Sequence, residues 1–132
     1  MKTLSSLLAV AVFAAAPIVA LAQAKKAAEQ RHPDVIEVKV APRGASRFDF
    51  EVTLSSPYDT EQRYADAFRV LGADGKVLGE RILFHDHADE QPFTRKLGDV
   101  DIPPPQRKVM VQGRDQKFGY GGKSMEVVLP GR

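Results

Sequence analysis

The segment Arg47-Phe48-Asp49-Phe50-Glu51-Val52-Thr53-Leu54 alternates polar and apolar side chains along its whole length. Successive side chains of a β-strand point to opposite faces, so this alternation predicts a strand with one face in a core and the other toward solvent. The inward face would carry the four apolar residues Phe48, Phe50, Val52 and Leu54. One strand cannot bury that face alone, so further strands are expected around it.

Similar short runs precede and follow this segment. Ile36, Val38 and Val40 alternate with charged residues, which indicates an earlier strand. Asp74-Gly75 is typical of a tight hairpin turn and predicts that the strands on either side of it are antiparallel neighbours. The remaining strands are expected at 64–71, from Val77 onward, at 93–102, around 109–111 and at 125–129.

Seven short strands separated by frequent turns, with no convincing helix after residue 24, favour a single all-β domain. We predict a seven-stranded antiparallel immunoglobulin/fibronectin-like sandwich over residues 34–132, with a small barrel as the alternative. The chain has no cysteine, so disulfides cannot stabilise the fold and thiolates cannot bind metal.

The beginning of the chain predicts export. A basic start at Lys2 precedes an apolar run from Leu7 to Leu21, and small residues follow at Ala22 and Ala24. This is the pattern of a cleaved signal peptide, assigned to residues 1–24, whereas the run is short for a membrane anchor. Residues 25–33 are then expected to be a flexible leader. Cleavage is expected before Gln23 or Lys25, and the location periplasmic or secreted.

Charge excludes one class of partner. Removing residues 1–24 takes away only Lys2 among the charged residues and leaves a nearly neutral chain. No basic stripe interleaved with aromatic residues is present, so nucleic-acid binding is not expected. No membrane span is expected after cleavage.

The order of strands predicts where the functional groups gather, because alternate loops fall at the same end of an up-and-down succession of strands. Loops at 55–63, 84–92 and 114–123 should therefore cluster, while the tight turns at 42–45, 72–75 and 103–106 occupy the other end. Long loops on a rigid scaffold often carry binding residues. The candidate binding surface is Tyr58, Asp59, Asp86, Asp89, Glu90, Arg114, Asp115 and Tyr120.

A metal site is one interpretation of this end. His85 and His87 are two residues apart, which places both imidazoles on one face of an extended chain. With Asp89, Glu90 or Asp115 as an oxygen ligand, Asp115 being the one assigned to the site, they would suit Zn²⁺ or Cu²⁺. The other interpretation is two solvated histidines in an acidic loop.

A structural interpretation concerns Asp66 and Arg95. Each lies on the apolar face of its strand, and the two strands belong to opposite sheets in the expected topology. We predict an ion pair between them that joins the sheets, with Glu90 and Asp86 as rival partners for Arg95.

Three segments carry a resemblance to a known group. His-x-His-x-x-Glu-Gln-Pro-Phe-Thr-Arg at residues 85–95, Arg114-Asp115, and Gly-Tyr-Gly-Gly at residues 119–122 resemble small exported bacterial proteins with an immunoglobulin-like domain. That group has no established activity, so the resemblance implies the fold and no function.

Motifs of common enzymes are missing. The chain has no G-x-S-x-G elbow and no H-E-x-x-H pair, and Gly122-Lys123-Ser124 lacks the opening glycine of a phosphate loop. We therefore predict a non-enzymatic binding or accessory module whose partner is a protein or glycan of the cell envelope, with metal binding as the alternative.

Overall fold

The computed structural model describes residues 29–132, so the predicted signal peptide and the first residues of the predicted leader lie outside the described residues. Within the described part of the chain, no helix is long and apolar enough to cross a membrane. The fold consists of seven strands: β1 Asp34–Pro42, β2 Arg47–Ser55, β3 Ala65–Leu71, β4 Val77–Ile82, β5 Phe93–Asp101, β6 Lys108–Asp115 and β7 Gly119–Val128.

The strands form two antiparallel sheets. One has the order β1-β2-β5 and the other β4-β3-β6-β7. The chain passes from one sheet to the other after β2, after β4 and after β5, as in a Greek-key sandwich. The predicted seven-stranded β-sandwich is confirmed.

The core lies between the sheets and contains the predicted face of β2. Phe48, Phe50, Val52 and Leu54 are each at most 3% exposed. The opposite sheet contributes Phe68, Val70, Val109 and Val111, and Phe93 enters from β5. Full burial of one such side chain stabilises a fold by about 1.5–3 kcal/mol, which indicates why the sandwich needs no disulfide.

Bulges change the faces expected for two strands. In β1 the register shifts between Val35 and Glu37, so Val35 is buried and Ile36 is 41% exposed. In β3 the register shifts between Ala65 and Ala67. Each extra residue reverses the alternation beyond it, and strict alternation cannot anticipate this change.

The last residues of the segment that was predicted to be a flexible leader pack on the domain. Pro33 is buried, and His32 Nδ1 lies 3.0 Å from the Gly119 carbonyl oxygen. Two glycines make room: a Cβ at Gly113 would lie 2.6 Å from Pro33 Cγ, and one at Gly122 would lie 2.6 Å from the Pro33 carbonyl oxygen. Gly122 also has φ +76°, which favours glycine.

Hydrogen bonds confirm the predicted clustering of loops. At one end, Ser56 N–H donates to Gln91 Oε1 at 2.8 Å, and Arg63 lies 3.1 Å from Asp115. At the other end, Ala73 N–H donates to Gln106 Oε1 at 3.0 Å. The first of these two ends is called the loop end below, and it comprises residues 30–33, 56–64, 83–92 and 115–118.

Candidate functional site

Asp59 holds two segments of the loop end together. Its carboxylate is 4% exposed and accepts hydrogen bonds from the backbone N–H groups of Ala65 and His87, each at 3.0 Å. Burial raises the pKa of Asp59, and these two hydrogen bonds oppose the rise. Asp59 was predicted to belong to a binding surface, but its carboxylate has an internal role.

Asp115 has a similar role on the other side of the loop end. It is 1% exposed, accepts the N–H groups of Lys117 and Phe118 at 2.8 Å, and pairs with Arg63 Nε at 3.1 Å. Burial acts to raise the pKa of Asp115, but the hydrogen bonds from Phe118, Lys117 and Arg63 oppose it, and the pKa lies below its usual value. All three hydrogen bonds end on Oδ2 of the carboxylate that was predicted to bind metal.

Tyr58 also lies inward. The guanidinium of Arg63 sits 4.1 Å from the centre of its ring, and its hydroxyl group is buried. Burial raises the pKa of Tyr58, and the neighbouring carboxylate of Asp115 adds to the rise. Three of the eight predicted surface residues therefore form the interior of the loop end.

The two histidines have unequal environments. Their ring centres are 4.9 Å apart, but His85 is exposed, whereas His87 is 6% exposed and stacks on Phe93 with 3.9 Å between ring centres. Within residues 29–132, no three His, Asp or Glu side chains converge as a metal site would require. The predicted set of His85, His87 and Asp115 is therefore not assembled.

Burial changes the pKa and the hydrogen bonding of the His87 imidazole. It lowers the pKa of the imidazole, and the charges of Arg95 and His85 act in the same direction. The buried Nδ1 atom has no hydrogen-bond partner within the described part of the chain. Both observations indicate a neutral ring at physiological pH.

The predicted ion pair between Asp66 and Arg95 is wrong, because each residue has another partner. Arg114 donates two hydrogen bonds to Asp66, at 2.8 and 3.1 Å. Arg95 donates two to Glu90, at 2.9 and 3.3 Å, so the rival partner named from sequence is confirmed. The β3 bulge lies beside Asp66, next to the outward-facing Arg114 of β6.

Arg114 and Tyr120 lie on the outer face of the four-stranded sheet rather than in a loop, because β6 and β7 extend farther than expected. The Arg69 guanidinium is 3.7 Å from the centre of the Tyr120 ring, and the Tyr120 hydroxyl donates to Glu80. Burial raises the pKa of Tyr120, reinforced by the hydrogen bond to Glu80. These contacts tie all four strands together.

Phe84 is the main residue that the candidate surface omits. It is 84% exposed, although Leu83 beside it is buried and Leu83 N–H donates to the Asp66 carbonyl oxygen at 2.9 Å. Asp86, Asp89 and Glu90 follow it in the same segment and are wholly or partly exposed. Phe84 follows Ile82 by two residues, and Ile82 faces outward on β4, so strand alternation gives a signal for its position.

Phe118 lies at the centre of a second group of side chains at the loop end. It is 41% exposed, and the charged groups of Arg31, Arg63 and Lys117 lie 5.3, 4.9 and 5.3 Å from its ring centre. A shallow depression is lined by Glu29, Gln30, Arg31, Arg63, Lys117 and Phe118. It is called the cationic depression below. Its residues come from distant parts of the chain, so only the folded structure shows that they meet.

Comparisons with known proteins give one informative match. No protein-family model matches the chain, and no solved structure matches it significantly. A curated relative from Halomicrobium mukohataei, named "Putative lipoprotein", is 38% identical over 97 residues. The match covers 74% of this chain and 47% of the relative, so the chain spans about half the length of the curated relative that it matches.

Proposed function

We propose that the protein is an exported, non-enzymatic binding module of the cell envelope that docks a partner through its loop end. The observation that carries this proposal is Phe84, a large apolar side chain that is 84% exposed on an anchored segment. Exposed aromatic side chains on a firm backbone are favoured as interface anchors, because they bury much area and lose little conformational freedom on binding.

Anchoring on both sides distinguishes Phe84 from an incidental exposed residue. Leu83 before it is 4% exposed, and His87 after it is 6% exposed and bonded to Asp59. Gln91 stabilises the end of the segment 83–92 through two hydrogen bonds. Its Nε2 donates to the His87 carbonyl oxygen at 3.0 Å, and its Oε1 accepts the Ser56 N–H. The segment therefore holds Phe84 outward before any partner arrives.

The surroundings of Phe84 suit a polar rim. Asp86, Asp89 and Glu90 follow Phe84 in the same segment with wholly or partly exposed side chains, and Glu90 is paired with Arg95. An apolar centre with a charged rim is the usual anatomy of a protein interface. A protein with an apolar pocket and a basic edge fits this half of the loop end.

Two sequence observations support the location. Residues 1–24 have the pattern of a secretory signal peptide, and the relative in Halomicrobium mukohataei is named "Putative lipoprotein". Both are consistent with an exported or envelope protein.

Site-specific crosslinking tests the proposal. A photoreactive residue at position 84 is expected to give one saturable crosslinked species in the native cell envelope. The matched control is the same residue at position 77, because Val77 is 46% exposed at the opposite end of the sandwich. Equal crosslinking from both positions, or none from position 84, would refute docking through the loop end.

A further inference from the structure

We infer that the cationic depression is a binding site for an acidic group, carboxylate or phosphate, on a glycan of the cell envelope. This inference rests on the proposed use of the loop end as a binding surface and assigns a ligand to the half that lies away from Phe84. Three cationic side chains meet there around one half-exposed aromatic ring.

A buried carboxylate organises the depression from behind. Asp115 fixes Arg63 through Nε and also accepts the N–H groups of Lys117 and Phe118. Arg63 Nη2 donates to the Gln30 carbonyl oxygen at 2.7 Å, which holds the leading segment in place. One network therefore sets the positions of all the elements that line the depression, and such preorganisation lowers the cost of binding.

The charge of the depression is incompletely neutralised. Within residues 29–132, neither Arg31 nor Lys117 forms a salt bridge, although each lies 5.3 Å from the centre of the same ring. Among residues 29–132, Glu29 is the single acid that lines the depression, against three cations. Like charges held this close repel each other, so an anion placed between them is favoured.

The exposed ring of Phe118 and the acidic residues at the same end of the molecule favour a glycan over an anionic bilayer. Phe118 offers an apolar surface against which the C–H groups of a sugar ring can pack beside its acidic group. An anionic bilayer would meet the acidic residues Asp86, Asp89 and Glu90 at the same end of the molecule, and their charge opposes its approach.

Calorimetric titration tests the assignment. The probes are oligogalacturonate, a phosphorylated oligomannoside and uncharged oligogalactose, added at low salt because screening weakens exposed charge pairs. We expect saturable binding of an acidic oligosaccharide and none of the uncharged one. The two acidic probes distinguish carboxylate from phosphate, and binding of either supports the site.

Matched double variants localise the binding. Arg31→Ala with Lys117→Ala is expected to weaken it at least about tenfold, while Lys76→Ala with Arg107→Ala removes the same charge at the opposite end and is expected to change it less than about twofold. Both double variants should keep the unfolding midpoint, because none of these four side chains donates a hydrogen bond within the described residues.

Three results would overturn the inference. One is an acidic oligosaccharide affinity weaker than about 1 mM, and another is equal binding by the two double variants. The third is that phosphatidylglycerol vesicles or a hexaglutamate peptide bind more tightly than the acidic oligosaccharides, and that the double variant of Arg31 and Lys117 loses this binding. None of these results alters crosslinking from position 84, so this inference can fail while the proposed function stands.

Discussion

At the scale of single residues, two buried carboxylates determine the shape of the loop end. Asp59 and Asp115 are 4% and 1% exposed, and each accepts two backbone N–H groups from its neighbours. A buried carboxylate is costly unless donors surround it, and here the donors belong to the loops themselves. These two carboxylates therefore stabilise the backbone of the loop end from inside.

Substitution of Asp115 should therefore affect stability strongly. Asp115→Ala leaves Arg63 and two backbone N–H groups without their acceptor, and we expect a loss of about 3–5 kcal/mol in the free energy of unfolding. Asp115→Asn keeps one acceptor and should lose about 1–3 kcal/mol. Urea unfolding measures both losses.

The control is Glu37→Ala, which removes an exposed partner 3.7 Å from Lys39. Its effect should stay within about 0.5 kcal/mol. A similarly small effect of Asp115→Ala would show that the network around Asp115 does not hold the loop end together.

At the scale of strands, the sequence predicts the faces of regular strands and fails at bulges. The alternation in β2 assigns its core residues correctly, because the extra residues at the register shifts of its pairings lie in β1 and β5 and not in β2 itself. In β3 the bulge beside Asp66 reverses the expected side of the strand. The incorrect pairing of Asp66 with Arg95 follows directly from that reversal, and no turn residue marks the bulge in the sequence.

A pair of double-mutant cycles separates the two pairings of Asp66. Asp66 and Arg114 form two hydrogen bonds with side chains 18% and 29% exposed, so their coupling energy should be about 1–2 kcal/mol. Asp66 and Arg95 bind different partners, and their coupling should lie within about 0.3 kcal/mol of zero. Chemical denaturation of the single and double alanine variants measures both, and the opposite ranking would contradict the pairing.

At the scale of the whole molecule, topology predicts which loops meet, but not which side chains remain available. Strand order alone places 55–63, 84–92 and 114–123 together, as the contacts between them confirm. Packing then decides which side chains of these loops are buried. Tyr58, Asp59 and Asp115 point inward, whereas Phe84 and Phe118 are exposed. This exchange depends on packing between distant segments, and composition and spacing hold little information about it.

The same packing predicts how the stability of the molecule depends on pH. Burial lowers the pKa of His87 below its usual 6.5, so between that value and the lower pKa of the folded state the unfolded chain binds more protons. The free energy of unfolding should therefore fall as the pH drops through 6.5. The contribution of His87 to this fall should end below the pKa that His87 has in the folded state. The charged and titratable groups that influence His87 are Arg95, His85, Glu90 and Asp86.

His87→Phe tests the origin of this dependence. Phenylalanine keeps the stacking on Phe93 and removes a buried nitrogen atom that has no partner within the described residues, so the variant should be at least as stable as the native protein at about pH 8. Between about pH 8 and pH 5 it should lose less stability than the native protein, whereas the exposed-site variant His85→Gln should lose nearly as much, because burial is the main cause of the lowered His87 pKa. Urea unfolding at both pH values measures the difference, and equal losses in the native protein and His87→Phe would assign the pH dependence to groups other than His87.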